Sequence, residues 1–307
     1  MNRKEWETLY LEPKGRAAWI WINRPKAMNA LNLQVMSDLD EAFKWIEKGD
    51  EYDVVVLTAV GEKAFCAGGD LKMIYDYTQN PEEAYRMLSQ MMRTVWSVKN
   101  LSKPVIARIN GIAIGGAVEL LIHCDILIAA DHAKFMLGET SAGVVPFVGT
   151  TQWLTLCVGD KRAKYALLTD ELISAQTALE WGLVNKVVPM HKLDEEVEKI
   201  ANLLINRSPW AIRLIKNQAN SYQDLTSNSI LAGRDSWTLL TLLPGLAKSC
   251  QAFMERKTPD WAKMRVEDLK NKTTFYYWGP MTKSCEKCGA KNLPENLSYC
   301  GVCGAKL

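Results

Sequence analysis

Two short stretches of the sequence combine glycine pairs with acidic residues. CAGGDL places Gly69 directly before Asp70, and GIAIGGAVELL places Gly116 three residues before Glu119. Glycine pairs cost chain entropy, so they indicate an unusual backbone angle or a close approach to the backbone N–H groups. Two converging N–H groups can stabilise a carbonyl oxygen that gains negative charge, as an oxyanion hole does. Glycine pairs also occur in ordinary tight turns, so the pattern alone leaves both interpretations open.

A second cluster of reactive residues lies near the end of the chain. It consists of two C-x2-C pairs separated by eleven residues, Cys285, Cys288, Cys300 and Cys303, and a glycine follows each pair. Four thiolates at this spacing suit tetrahedral zinc and leave no open position for catalysis. We therefore predict a structural zinc in a zinc ribbon, rather than disulfides or a redox pair. So small a unit cannot build a core, so the metal would supply its folding free energy.

Strands and helices alternate around the two glycine stretches. Buried, apolar runs predict strands at 17–23, 53–59, 104–110 and 125–130. Helical spacing predicts helices over 33–46, from Pro81 and from Gly116, and then at 151–158, 160–168, 174–181, 191–206 and 209–222. This order predicts one α/β domain whose C-terminal part is helical, and the composition changes near Pro259.

The bulk composition narrows the function only a little. The chain has 307 residues, 48% hydrophobic and 23% charged, with a formal net charge of +2. A charge this small gives no reason to expect nucleic acid as a partner. No apolar run is long enough to span a bilayer and the first residues lack the apolar core of a signal peptide. We therefore expect a cytoplasmic protein with no membrane partner.

Several motifs occur in an order that matches a known family. They are NRPKAMNALN, CAGGDL, KPVIARINGIAIGGAVELLIHCDILIAA, FMLGETSAGVVP, ISAQTALEWGLVNKVV and AFMERKTPDW. Together they resemble the enoyl-CoA hydratase/isomerase (crotonase) superfamily over roughly residues 5–261. The resemblance implies a ββα spiral and a helical trimerisation region, so we expect a homo-oligomer, either a trimer or a dimer of trimers. The predicted domains are a crotonase-like domain over 1–258 with its spiral core to about 200, a linker or arm over 259–280, and a zinc ribbon over 281–307.

The resemblance also assigns site residues. The two oxyanion-hole N–H groups fall on Gly69 and Gly116, and the two glutamates of the hydratases fall on Glu119 and Glu139. The contacts to the CoA part of an acyl-CoA substrate fall on Ala27, Ala30, Ala67, Asp70 and Leu71. No redox cofactor is implied.

Glutamate at both acid positions favours a hydratase. Adding water to an enoyl thioester needs one group to help deprotonate water and another to supply a proton at Cα, and two acids in a partly dry site push their pKa values apart. We predict Glu119 as the activator of water and Glu139 as the proton donor. Family members that only move the double bond often keep a single acid. The unusual loop VVPFVG leaves open an isomerase or a cyclic oxo-acyl-CoA hydrolase.

The resemblance assigns no role to the predicted zinc ribbon, because hydratases of this family do not ordinarily carry one. It could recruit a protein partner or nucleic acid, with the body of the protein acting as a non-catalytic scaffold. No Arg-rich or aromatic-interleaved stretch supports nucleic acid, so we do not expect nucleic acid as a partner.

Overall fold

The chain divides into two units, which are described separately. The structure is a computed structural model that describes residues 3–78, 80–241, 243–264, 283–291, 293 and 297–307. Most contacts between residues fall within one of two compact units, Met1–Pro259 and Asp260–Leu307. Most of the segment 259–280, predicted as a linker or arm, lies outside the described residues.

The described part of the chain has eleven strands, all in the first unit. In chain order they are β1 (Lys4–Glu5), β2 (Leu9–Lys14), β3 (Ala17–Ile22), β4 (Val54–Ala59), β5 (Ala64–Cys66), β6 (Val105–Ile109), β7 (Ile112–Ile114), β8 (Ile126–Ala130), β9 (Lys134–Met136), β10 (Ile173–Ser174) and β11 (Lys186–Val188).

These strands form two sheets that the chain visits in turn. The larger sheet has the order β1-β2-β3-β4-β6-β8-β11 and the smaller one has the order β10-β9-β7-β5. From β3 to β11 the neighbours in the larger sheet are parallel, as are β5, β7 and β9 in the smaller one. Each of the pairs β4–β5, β6–β7 and β8–β9 therefore places one strand in each sheet before a helix follows. This repeat is the ββα spiral that the resemblance predicts.

The larger sheet is covered on both faces, which explains its continuous apolar strands. Along β3 and β4, Ile20 and Leu57 belong to the main core, whereas Trp19 and Val56 pack with residues 193–205 on the opposite face. Successive side chains of a strand point to opposite faces, so a strand that is buried on both sides has no polar alternation.

Twelve α-helices complete the described part of the first unit. They are α1 (Leu33–Lys48), α2 (Leu71–Asp76), α3 (Pro81–Lys99), α4 (Gly116–Leu121), α5 (Glu139–Ala142), α6 (Thr150–Val158), α7 (Asp160–Thr169), α8 (Ala175–Trp181), α9 (Leu193–Ile205), α10 (Pro209–Asp224), α11 (Ser227–Leu240) and α12 (Pro244–Met254). Short 3-10 helices lie at Pro25–Ala27 and Met190–Lys192.

The last two helices pack onto earlier parts of the same unit. α11 contacts α3, and α12 contacts α2 and α5. The side chain of Ser249 on α12 donates a hydrogen bond of 2.5 Å to the carbonyl oxygen of Ala142 at the end of α5. No helix in the described ranges is long and apolar enough to cross a membrane.

The second unit contains two matching turns. Cys285 and Cys300 each donate their N–H to a carbonyl five residues on, and each accepts from a glycine four residues on, Gly289 and Gly304. Both glycines have left-handed φ, 72° and 71°, which favours glycine over other residues. The two halves of the cysteine motif therefore fold in the same way.

The predicted strands and helices are confirmed where the apolar runs are long, and the short strands were missed. β7 lies between the predicted strand that ends at 110 and the second glycine pair, and β5 lies between β4 and the first glycine pair. The C-terminal part predicted to be helical also contains the short strands β10 and β11. Strands of two or three residues are too short to show a period, and their pairing to β9 and β8 determines them.

Candidate active site

Three adjacent strands of the smaller sheet end at the predicted site. β5, β7 and β9 run parallel, so their carboxyl ends lie at the same edge of the sheet. β5 leads to Gly68–Gly69, β7 leads to Gly115–Gly116, and β9 leads to Gly138 and Glu139. The sheet therefore brings together three segments that are far apart in the sequence.

The first two glycine turns pack closely against each other. Gly68 has a φ of 88°, and a Cβ on it would lie 2.6 Å from the carbonyl oxygen of Ile114. A Cβ on Gly116 would lie 3.7 Å from the backbone nitrogen of Gly69. Over the described ranges, the N–H groups of Gly69 and Gly116 have no hydrogen-bond acceptor. Two neighbouring free donors are what an oxyanion hole requires.

Glu119 lies in the first turn of α4 and is 4% exposed. Its Oε1 accepts hydrogen bonds from the backbone N–H of Phe147, at 2.9 Å, and from the hydroxyl of Thr150, at 3.2 Å. Burial raises the pKa of Glu119 to about 7, although these hydrogen bonds oppose the shift by stabilising the ionised form. The side chain is thus fixed in place and can lose its proton near neutral pH.

Glu139 begins α5, is 7% exposed and points toward the second glycine turn. A Cβ on Gly115 would lie 3.2 Å from its Oε1. Its Oε2 is buried and has no hydrogen-bond partner within the described residues. Burial raises the pKa of Glu139 well above its usual value, and the charge of Glu119 raises it further. A buried carboxyl oxygen without a partner indicates a place for a water molecule or a ligand.

The surroundings of the two carboxyl groups differ in how well they stabilise the ionised form. Glu119 accepts two hydrogen bonds that favour its anion, whereas Oε2 of Glu139 accepts none. When one proton is lost from the pair, Glu119 is the group that ionises first, because its anion is better stabilised. The pair can therefore supply one base and one acid at the same pH.

The residues predicted to contact CoA lie on two segments that pair with each other. The N–H of Leu31 donates to Gly68 at 2.8 Å, and the N–H of Ala67 donates to Met28 at 3.0 Å. These bonds bring Ala27 and Ala30 next to Ala67, Asp70 and Leu71. The carboxylate of Asp70 accepts from N–H groups at the start of α2 and from Arg24 at 3.2 Å. The side chain of Asp70 therefore has a structural role, whatever its backbone contacts.

Some residues of the site carry no signal in the sequence. Thr150 and the N–H of Phe147 fix Glu119, although they lie about thirty residues away. No sequence pattern identifies a threonine hydroxyl or a backbone N–H as the hydrogen-bond donor to a distant glutamate. His123 also lies close, with Nδ1 at 2.7 Å from the carbonyl oxygen of Glu119. Burial lowers the pKa of His123 to about 3, so it is neutral and adds no charge to the site.

The four C-terminal cysteines form a separate cluster in the second unit. All four Sγ atoms lie within 4.8 Å of one another. Cys285 and Cys303 are 3.6 Å apart between Sγ atoms, and Cys288 and Cys300 are 3.7 Å apart. A disulfide needs about 2 Å. Four thiolates around zinc, each with a bond of about 2.3 Å, would be about 3.8 Å apart, so the donor set fits tetrahedral zinc.

A groove elsewhere in the first unit has no part in this site. Its volume is about 420 Å³ and it is lined by Arg16, Lys103, Trp210 and Arg213, among others. None of the predicted site residues lines it, and the basic side chain of Arg16 is paired with Asp53.

The fold and the two carboxyl groups beside the glycine turns define an α/β protein of the ββα-spiral class. The chain belongs to the enoyl-CoA hydratase/isomerase family, because the model of that family matches residues 13–264. Residues 265–307, which include the cysteine cluster, lie beyond that match.

Individual relatives cover most of the first unit. The chain is 34% identical over 253 residues to a crotonyl-CoA hydratase of Syntrophomonas wolfei subsp. wolfei, covering 82% of this chain and 96% of that one. It is 36% identical over 228 residues to a short-chain-enoyl-CoA hydratase of Clostridium acetobutylicum, covering 74% and 87%. A crystal structure of an enoyl-CoA hydratase from Mycobacterium avium subsp. paratuberculosis has a TM-score of 0.75 at 26% identity, covering 83% and 98%.

Proposed function

We propose that the protein is an enoyl-CoA hydratase, which adds water reversibly across the double bond of a 2-enoyl-CoA thioester. The observation that carries this proposal is the buried pair Glu119 and Glu139 beside the free N–H groups of Gly69 and Gly116. The similarity to relatives named as hydratases supports the same activity.

Each group has one task in the reaction. The thioester oxygen accepts hydrogen bonds from the N–H groups of Gly69 and Gly116, which stabilise the enolate as it forms. Glu119, as the carboxylate, takes a proton from water while the water oxygen bonds to C3 of the enoyl group. Glu139, as the acid, gives its proton to C2 as the double bond is lost. A proton then passes from Glu119 back to Glu139, so the net change is one water added and no redox cofactor is used.

The CoA part of the substrate is proposed to lie along the paired segments that contain Ala27, Ala30, Ala67, Asp70 and Leu71. Their backbones pair with each other and with the glycine turn, so a thioester held there would reach the free N–H groups. The acyl group is proposed to enter beside Phe147, whose backbone N–H already fixes Glu119.

The test is the loss of enoyl-thioester absorbance with crotonyl-CoA and a series of bulkier 2-enoyl-CoA substrates. Glu139→Gln removes the acid but keeps the shape, so we expect kcat to fall roughly 10³-fold or more. Glu119→Gln should have an effect of similar size. Glu180→Gln is the matched control, because Glu180 is an exposed residue of α8.

Mass analysis of the products separates hydration from other reactions of the family. Hydration adds one water without shortening the acyl chain or opening a ring, whereas isomerisation leaves the mass unchanged. If the wild-type protein hydrates no member of the series, the proposal falls. If Glu139→Gln retains the wild-type rate, the assigned roles of the two carboxyl groups are wrong.

The second unit is proposed to hold a structural zinc through Cys285, Cys288, Cys300 and Cys303. Two Sγ separations of 3.6 and 3.7 Å, with all four Sγ atoms within 4.8 Å of one another, support this. Four sulfur ligands close the coordination sphere, so the metal would stabilise the fold and take no part in hydration. Tyr299 and Val302 are exposed beside these ligands, which supports a protein partner for the ribbon.

The first unit is proposed to form a homo-oligomer, a trimer or a dimer of trimers. One face of α10 supports this, because it leaves large apolar side chains exposed: Trp210, Leu214, Ile215 and Tyr222. Exposed apolar patches of this kind mark contact surfaces. A cytoplasmic location is proposed because none of the eight cysteines, all of which lie in the described residues, forms a disulfide, as is usual in a reducing compartment.

A further inference from the structure

Asp170 is a buried acid in an uncommon backbone conformation. It follows the last residue of α7 with a φ of 51°, in the left-handed region that residues other than glycine rarely adopt. Its side chain is only 8% exposed, although carboxylates are almost never buried without partners. A strained backbone and a buried charge each cost free energy, so some interaction must keep this residue in place.

The partners of Asp170 are both in the turn that carries Glu139. Its Oδ1 accepts a hydrogen bond of 2.9 Å from the N–H of Gly138, and its Oδ2 accepts one of 2.6 Å from the N–H of Ser141. Gly138 precedes α5 and has no side chain that could accept from these N–H groups. Asp170 therefore supplies, from the end of another helix, the carboxylate that would ordinarily cap the start of α5.

Glu139 lies between the two anchored residues. Because Gly138 and Ser141 are both held, the backbone of Glu139 cannot rotate without breaking one of the hydrogen bonds. A third bond joins the same two regions, from the hydroxyl of Thr140 to the carbonyl oxygen of Leu167 at 2.6 Å. The direction of the Glu139 side chain is therefore fixed from the C-terminal end of α7.

We propose that Asp170 is a positioning residue for Glu139, because its carboxylate holds the turn Gly138–Ser141 from which the catalytic acid enters the site. This inference rests on the proposed function for the role of Glu139. Asp170 itself contacts neither substrate nor the reacting atoms.

The negative charge of Asp170 also affects the pKa of Glu139. It is one of the charges that raise the pKa of Glu139, after burial and after Glu119. The helices packed against α5 are α7 and α12. Their charged side chains are exposed, and the buried thiol of Cys250 on α12 is neutral because burial raises its pKa to about 11. Within the described residues, the charges found to raise the pKa of Glu139 are therefore those of Glu119 and Asp170.

Removing the negative charge of Asp170 should shift the pH dependence of the proposed reaction. A nearby negative charge opposes ionisation of Glu139, so removing it lowers the pKa of Glu139. An acid that must be protonated stops working above its pKa. Loss of the Asp170 charge should therefore move the alkaline limb of the kcat profile to lower pH.

The test compares Asp170→Asn and Asp170→Gly in the full-length protein. Asparagine tolerates the left-handed conformation and keeps one acceptor, whereas glycine relaxes the backbone and removes both acceptors. We expect kcat for crotonyl-CoA to fall roughly 10-fold in Asp170→Asn and about 10²-fold in Asp170→Gly, with KM changed less than about threefold. The alkaline limb should move to lower pH in both variants. Glu171→Gln removes the same charge at the next, exposed position and should change neither quantity.

The outcomes separate a positioning role from a purely structural one. If Asp170→Gly lowers the melting temperature but leaves kcat and the alkaline limb unchanged well below that temperature, the proposal is overturned. If the wild-type protein hydrates no enoyl-CoA, the proposed function fails, and Asp170 is then tested without activity. Infrared difference spectra against Glu139→Gln report the protonation of Glu139, and an unchanged titration in Asp170→Asn would overturn the proposal independently.

Discussion

The carboxyl pair of the first unit and the four thiols of the second unit each gather groups that repel one another when ionised. In the first unit, burial raises the pKa of both Glu119 and Glu139 and so favours their protonated forms. In the second unit the four Sγ atoms lie within 4.8 Å of one another, at separations that suit a cation between them. One cluster is neutralised by protons and the other by the proposed metal.

This difference determines what each cluster can do. A proton can be transferred, so a carboxyl pair that shares protons can catalyse. A closed set of four sulfur ligands around a metal has no free position and contributes stability instead. The supporting structure differs in the same way: strands of the smaller sheet position the carboxyl groups, whereas the thiols lie on two short turns. The first unit should therefore respond to pH and the second to the availability of metal.

Removing the metal should affect only one of the two regions. Structural zinc sites contribute apparent binding free energies of about 10–16 kcal/mol, so Cys285→Ser should lose the zinc and the fold of the second unit. The hydration rate should change less than about twofold, because the catalytic groups lie in the first unit. Metal content by mass spectrometry and the crotonyl-CoA assay measure both effects. Cys157→Ser, an exposed cysteine of the first unit, is the control. Full zinc content in Cys285→Ser would contradict the assigned site.

Raising the pH should destabilise the first unit through Glu119. The folded state raises the pKa of Glu119 from 4.5 to about 7, so between these values the folded protein binds more protons than the unfolded one. Stability is therefore lost as the pH rises through this window. Glu119→Gln cannot ionise, so it should gain stability relative to wild type between pH 5 and pH 8, by on the order of 3 kcal/mol. Urea denaturation at several pH values measures this gain. A pH-independent difference would show that burial does not shift this carboxyl.

Adding a methyl group to glycines should distinguish the tightly packed turn from the open one. Gly68 and Gly289 both have left-handed φ, but a Cβ on Gly68 would meet a backbone oxygen at 2.6 Å, whereas a Cβ on Gly289 would meet no described residue within 4 Å. Gly68→Ala should cost about 3 kcal/mol or more, and Gly289→Ala about 1 kcal/mol, from the backbone alone. Thermal unfolding measures both. Gly116→Ala, with ordinary φ and its nearest contact at 3.4 Å, is the control and should cost less than Gly68→Ala. Equal costs for Gly68→Ala and Gly289→Ala would contradict the close contact.

The long elements were predictable because their signals are local. α1 and α3 show helical spacing over four or more turns and end beside Gly49 and Asn100. The spacing of Cys285, Cys288, Cys300 and Cys303 fixes two similar turns, whatever the rest of the chain does. The positions of Gly69, Gly116, Glu119 and Glu139 came from the family motifs, and the structure places all four near one sheet edge.

The short strands and the surroundings of the two glutamates depend on contacts between distant parts of the chain. β10 has two residues and exists because it pairs with β9, so no pattern inside it could reveal it. The environments of the two glutamates depend on Phe147, Thr150 and Asp170, which lie about thirty residues away. A sequence records the types of these residues but not which of them meet. The sequence therefore predicts the two acid–base roles only through the family resemblance, whereas the contacts that support these roles are seen in the folded chain.

Helix α4 carries both a proposed donor of the oxyanion hole, Gly116, and the residue proposed to activate water, Glu119, which are separated by less than one helical turn. The two groups must move as one rigid body. A displacement of α4 would shift the stabilisation of the enolate and the attack of water together, so it would produce a single, steep loss of rate. Glu139 is attached to a different strand and can be displaced alone. A displacement of α4 should therefore impair two steps of the proposed reaction, whereas a displacement of α5 should impair only the proton transfer from Glu139.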